Sequence, residues 1–493
     1  MSYQIYPVQK TDIQCRDYSV RINSVDCPVD IARVSAAPIN RRWPGHQRDK
    51  SQTELINFIS LETDEPLDFE ITIPEKSDKV TVRPLGSVND IAVDQRTVRF
   101  TIPGPGYYSV EPYGRNRAFL IFADAPEKDP RPEGDNVIYF GPGVHDAGVI
   151  EMSAGQTLYI DRGALVYASV HAKLADDITI TGRGILDNSK NVEKILYEAN
   201  VENTRAAVLN AERRFTIHLE FCRNVKISGI TLRDSLVYNV KPVGCDGVKI
   251  SDLKLIGNWR YNSDGIDMHN CENVSINNCF IRTYDDCICV KGFDPWMAPE
   301  DKKIDGRDHD HFRNVLVKDC VFWNDWGKCM ELGVEMRVDT IENVEFTDCR
   351  VIHVTGTVLD CTNVDYAAVD GVVYKNITVE FDDRIPKSQY QYNDREQYTD
   401  TGDNFAPELI KVSVNWHHEY SDNTHGRGHI RNVRFENVNV LGSQPVRVTV
   451  KGFDAEHLAE NVEISGIRRF GKPLEARDIV ADVNEFTNNV SIK

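Results

Sequence analysis

The chain contains no stretch approaching the ~18–20 consecutive apolar residues of a membrane span, so no transmembrane helix is expected and no membrane partner is implied. It is also short of positive charge. Against 76 acidic residues stand 57 Lys and Arg, a formal net charge of −19, and that balance disfavours nonspecific binding to nucleic acid. Met1 to Pro7 shows no basic segment followed by an apolar run, so a secretory leader is not expected. A cytoplasmic location follows as an expectation, with the twelve cysteines as thiols rather than disulfides. Apolar spacings of three to four residues, the mark of helical repeats, are missing as well.

What the 493 residues do contain is a repeat. Anchored on Val225, Val248, Val274, Val315, Val344, Val372, Val433 and Val462, the unit returns every 23–29 residues, with two longer gaps of 41 and 61. Two positions after each anchor stand Ile227, Ile250, Ile276, Val317, Phe346, Tyr374, Phe435 and Ile464. Apolar residues at the anchor and two, five and seven positions later make two short period-two strands joined by a bend. Directly before the anchor come Asn224, Asn273, Asn314, Asn343, Asn432 and Asn461, an amide column able to bond from coil to coil. A repeat of two or three short strands at this interval is the pattern of a parallel β-helix. Cys222, Cys245 and Cys271 fall in one inward column, and Cys279, Cys320 and Cys349 in another, as small apolar fillers.

The expected fold is all-β: an N-terminal antiparallel β-sandwich over 1–128, where alternating strands are separated by Gly/Pro turns, then a parallel β-helix over 134–493. The two long gaps place insertions at 293–311 and 383–428, on one face of the solenoid, where they could close one end of a groove.

The chemistry concentrates in two neighbouring stretches. Asn262-Ser263-Asp264-Gly265-Ile266-Asp267 is followed one coil later by Asp285-Asp286-Cys287. Coils stack about 4.8 Å apart, so these carboxylates should share one side of the solenoid, repel, and leave at least one protonated near neutrality. Such a set suits glycoside hydrolysis, in which one carboxylic acid protonates the leaving oxygen and another activates water. Clustered carboxylates would equally suit calcium, so a calcium-dependent lyase or epimerase and a non-catalytic carbohydrate-binding solenoid stand beside the hydrolase.

These motifs resemble the polygalacturonase-like β-helix glycoside hydrolases, families 28 and 49, across roughly residues 134–460. The resemblance implies a right-handed solenoid, Asp285 as general acid, and Asp264 and Asp286 holding and deprotonating the water of an inverting mechanism. It implies no metal and no organic cofactor. Two elements depart from the polygalacturonase pattern. Lys328 stands in Gly327-Lys328-Cys329 where a Gly-His-Gly His is expected, and Gly356-Thr357-Val358-Leu359-Asp360 replaces the Arg-Ile-Lys that grips a uronate carboxylate. Asn324-Asp325, Met330-Glu331-Leu332-Gly333 and Val351-Ile352-His353 look like family 49, the dextranase and isopullulanase group, which also has a β-sandwich in front of its helix. The expected substrate is therefore a neutral α-linked oligo- or polysaccharide such as an α-glucan, with pectin hydrolysis as the alternative.

Further candidates for substrate contact are Asp267, Lys291, Lys328 and Glu331 as hydrogen-bonding groups, Trp259 and Trp326 as stacking faces, and Tyr238 and Asn239 one coil upstream. Lys328 could also depress a neighbouring carboxylate pKa. The pairs His309/His311 and His417/His418 lack a ligand set and read as solvated loop.

Overall fold

A computed structural model describes residues 3–11, 17–36, 40–42, 50–128, 131–191, 215–293, 303–382, 389–391, 398–400, 407–418 and 420–493. From Val137–Phe140 to Thr487–Ile492 the strands pair in parallel, coil upon coil, as a right-handed β-helix, apart from the short antiparallel pair Arg468–Arg469 and Lys472–Pro473. Most coils carry three strands, within the two or three expected, and at Ala368–Glu380 the first two merge into one. In one coil the three are Glu272–Asn277, Phe280–Thr283 and Ile288–Lys291, and the next repeats them as His311–Lys318, Val321–Asn324 and Met330–Val334. The columns anchored on Val trace only the first two strands, because the turn before the third varies in length while the spacing from the anchor through the first two is nearly constant.

The aliphatic columns point inward and are fully buried, including Val225, Ile250, Val274, Val317 and Phe435. Phe346, Tyr374 and Phe435 stack along the axis with ring centroids 5.0 and 4.9 Å apart. The asparagine column is real: Asn314 donates to Asn273 at 2.9 Å, Asn343 to Asn314 at 2.9 Å, and Asn461 to Asn432 at 3.0 Å. These asparagines hold a left-handed backbone, with φ of 60° at Asn314 and 56° at Asn343, a conformation Asn tolerates better than other side-chain-bearing residues. The six column cysteines are buried free thiols.

The N-terminal residues form two sheets around a core that includes Leu61, Phe69, Ile71, Phe100, Val110 and Phe119. Their pairing is antiparallel apart from Phe119–Asp124, which runs parallel to Thr53–Thr63. The intervening chain visits the other sheet and comes back through the hairpin with Gly106–Arg115, which sets that direction. Phe119–Asp124 is buried at every position because it has no solvent face. One side packs into the sandwich. The other side, through Leu120 and Phe122, meets Ile256, Phe280, Trp323 and Ile352 of the solenoid.

Candidate active site

The carboxylates sit where the second strand of a coil turns into the third. Ile266 pairs with Ile288, so two residues ahead of these partners Asp264 lies over Asp286, with Asp285 beside them. Backbone bonds tie the turns together: Asn239 N–H donates to the Asp264 carbonyl at 3.0 Å, and Gly265 N–H to the Asp286 carbonyl at 2.8 Å. Asn239, expected at the border of a cleft, is fully buried and donates its side-chain amide to the Asp264 carbonyl at 2.7 Å. It braces the aspartate from below.

Two neighbouring carboxyls are driven in opposite directions. Burial, then the Asp286 charge, raises the Asp285 pKa well above the usual carboxylate range, with Lys291 and Lys328 opposing. Burial also pushes Asp286 upward, but the Lys328 ammonium, Glu331, Lys291 and the Lys328 N–H outweigh it and hold that carboxyl below its ordinary value. The Lys328 N–H lies 2.7 Å from Asp286 Oδ1. Asp264 is raised well above the usual range by burial, then by Asp267 and Asp285. Asp267 is raised by burial against the pull of Lys291. A protonated acid beside an ionised base is the division of labour general acid–base chemistry needs.

Gly327 explains how two carboxyls fit beneath one turn. A Cβ there would lie 2.3 Å from Asp286 Oδ1 and 2.5 Å from Asp285 Oδ1, so only a residue without a side chain leaves them room.

The lysines are held by acids. Lys291 Nζ lies 2.9 Å from Asp267, 3.7 Å from Asp264 and 4.0 Å from Glu335, and sits 5.0 Å from the centre of the Tyr238 ring. Lys328 hydrogen-bonds Glu331 and lies 3.3 Å from Asp360. Burial raises the Glu331 pKa well above normal, joined by the Asp286 charge. Strand register sets Lys241, Asp267, Cys289, Glu331, Asp360 and Lys411 on successive coils as one outward row.

Metal-ligand types do gather here: Asp264, Asp267 and Cys289 place donor atoms within 4.8 Å of one another, as do Asp286, Cys289 and Glu331. Each set includes a thiol, a poor ligand for a hard cation such as calcium. The Lys291 ammonium already supplies positive charge between Asp264 and Asp267.

Trp326 and Tyr238 are partly exposed at this site, Trp326 stacked on Tyr284 with centroids 5.5 Å apart. Trp259 differs from the expectation of an open stacking face. It is 3% exposed, and the Arg260 guanidinium lies 4.0 Å from its ring centre, so it packs rather than receives a sugar. His309 also differs from its reading as solvated loop, being buried beside Phe221 and bonded to Asp305 at 2.9 Å. Aromatic neighbours distant in sequence cover it. His418 is exposed. Residues 383–388, 392–397, 401–406 and 419 of the 383–428 insertion and residues 294–302 of the 293–311 insertion lie outside the described residues, and so does any closure of the groove by them. Asn324, whose side chain reaches the Asp285 carbonyl at 2.8 Å, carried no assigned role in the sequence, because the bond spans 39 positions.

Residues 159–381, which include every aspartate above, match the family model described as glycosyl hydrolases family 28. Over those residues the solenoid resembles the polygalacturonase-like glycoside hydrolases. A probable polygalacturonase of Vitis vinifera is 24% identical over 189 residues, 33% of this chain and 38% of that protein. The polygalacturonase of Gossypium barbadense is 23% identical over 206 residues, 41% of this chain and 44% of that one. The chain thus spans less than half the length of these curated relatives. Dex49A from Penicillium minioluteum superposes with a TM-score of 0.54 at 15% identity, covering 94% of this chain and 96% of that chain, which establishes shared fold across both parts of the molecule.

Proposed function

We propose that this polygalacturonase-like protein hydrolyses α-linked glycosidic bonds of a pectic, galacturonate-containing glycan by an inverting mechanism. The observation that carries the chemistry is the opposed pair in one buried cluster: burial pushes the Asp285 carboxyl up, while Lys328 and its neighbours hold Asp286 down. Asp285 gives its proton to the glycosidic oxygen as the bond from that oxygen to the anomeric carbon breaks. Water attacks that carbon from the opposite face and loses its proton to Asp286, while Asp264 holds the water by hydrogen bond. The family match and the polygalacturonase relatives support the pectic substrate.

A neutral α-glucan is the second reading. It is favoured by Glu331 and Asp360, which occupy the row next to the aspartates and engage Lys328, leaving carboxylates where a uronate would meet cations.

The test is release of reducing ends from polygalacturonate, dextran, pullulan and isomaltooligosaccharides, with and without EDTA, and with the first-formed anomer followed by proton NMR. Turnover of polygalacturonate to an inverted product, insensitive to chelator, is expected. Turnover of dextran alone would move the conclusion to the second reading. Unsaturated products lost on chelation would replace hydrolysis with lyase chemistry.

A further inference from the structure

The strand Gly106–Arg115 of the N-terminal sheets ends on a residue that reaches into the solenoid. Arg115 is 7% exposed, and its Nη2 donates to Asp325 Oδ1 at 2.5 Å. Asp325 is fully buried, and its carboxylate also accepts the Trp323 indole N–H at 2.8 Å and Arg282 Nε at 3.3 Å. Its own backbone N–H bonds the Thr283 carbonyl at 2.9 Å. Asp325 is thus clamped from both parts of the molecule.

The residues flanking it are the ones that hold the aspartates. Asn324 Nδ2 donates to the Asp285 carbonyl at 2.8 Å, a carbonyl that also accepts the Thr283 hydroxyl at 2.5 Å. A side chain at Gly327 would collide with both carboxyls, and Lys328 directs its N–H to Asp286. The Lys328 carbonyl accepts the Cys287 N–H at 2.8 Å, which closes the turn onto the segment carrying the catalytic pair.

We propose that Arg115 is a positioning residue for catalysis: through Asp325 it fixes the turn 324–328, and that turn sets the carboxyls of Asp285 and Asp286. The N-terminal sheets are then part of the catalytic apparatus and do more than cap the solenoid. The inference rests on Asp285 and Asp286 being the acid and the base, and it holds for either substrate.

A buried arginine cannot be removed without cost, because Asp325 loses one of its two cationic partners. The experiment therefore compares seams. In the whole chain, Arg115→Met is set beside Lys254→Met, which breaks another buried bridge to the sandwich, from Lys254 Nζ to Asp124 at 2.8 Å. Arg115→Lys and Asp325→Asn complete the set. Four readouts are taken: kcat and KM separately, the pH–rate profile, thermal stability, and hydrogen exchange of the segment containing 324–328.

Arg115→Met is expected to lower kcat at least tenfold with KM within twofold, to move the acid limb of the profile upward, and to speed exchange in that segment. Arg115→Lys should recover part of the loss. Lys254→Met should lose thermal stability while keeping kcat and the profile. If Arg115→Met does not fold, Asp325→Asn, which keeps the shape and one acceptor oxygen, must show the same changes in smaller measure. Unchanged kcat, profile and exchange in a folded Arg115→Met or Asp325→Asn protein overturns the inference, as does an equal kcat loss in Lys254→Met. If the wild type cleaves no glycan, the hydrolase reading fails, and exchange in 324–328 still decides whether Arg115 fixes the turn.

Discussion

Two rows of polar residues run along this solenoid, and they obey opposite rules. On one face the asparagines repeat from coil to coil, exposed to water, each amide donating to the side chain before it. At the turn before the third strand, Asp264, Asp285 and Asp286 crowd together, and Asp264 Oδ1 and Asp267 Oδ1 are buried without a hydrogen-bond partner. Amides satisfy one another because each carries both donor and acceptor. Carboxylates cannot, and they need lysines, backbone N–H groups and bound protons to coexist. The regular row is scaffold. The irregular cluster stores electrostatic tension that chemistry can use.

The largest test of that contrast is to neutralise the cluster. Asp285→Asn should lower kcat by about 10²–10⁴-fold, the range typical of general acid loss. It should also stabilise the fold at neutral and alkaline pH. A carboxyl whose folded pKa is raised contributes stability that is full below its unfolded value of about 3.9 and is lost as pH climbs through the folded value. Asparagine has no such proton to lose, so its advantage in melting temperature should grow with pH. A variant less stable than wild type from pH 5 to 9 would deny the tension.

Next comes Gly327→Ala. The added methyl cannot coexist with both Oδ1 atoms, and displacing reacting groups by about 1 Å costs on the order of 10²-fold in rate. Kinetics within threefold of wild type would mean that the turn yields freely.

A smaller effect belongs to Lys328→Met. The wild-type pH–rate profile should be bell-shaped, its acid limb set by Asp286, which must be ionised, and its basic limb by Asp285, which must keep its proton. Without the ammonium the Asp286 pKa rises, so the acid limb should move to higher pH. An unmoved limb would assign it to another group.

The smallest effect lies on the other row. Asn343→Gly keeps the left-handed backbone and removes one rung, so unfolding experiments should show a loss of about 1 kcal/mol with kcat unchanged. A change in kcat would show that the two rows are coupled.

Much of the scaffold was legible because it repeats. The inward columns, the amide ladder and the cysteine stacks all recur at one spacing, and so did the pairing of Asp264 with the Asp285-Asp286 stretch. Legibility ended where a residue works only once. The motifs placed Asp264 one coil from the Asp285-Asp286 stretch without choosing between its two carboxyls, whereas the strand register sets Asp264 over Asp286. Trp259 resembled a sugar platform until Arg260 was found across its face. Nothing local in the sequence ties Arg115 to Asp325, 210 positions away, and no spacing could have revealed it.

By itself, then, the sequence determined that the chain coils into a solenoid and which carboxylates gather on it. Stacking buries the same column again and again, so periodicity alone encodes it. Only the tertiary structure supplied the forces that drive the Asp285 and Asp286 carboxyls in opposite directions, and the strand from the N-terminal sheets that grips the turn packed against them. Burial and the charge of neighbours from distant coils set a pKa, and neither is a property of the residues adjacent in the chain.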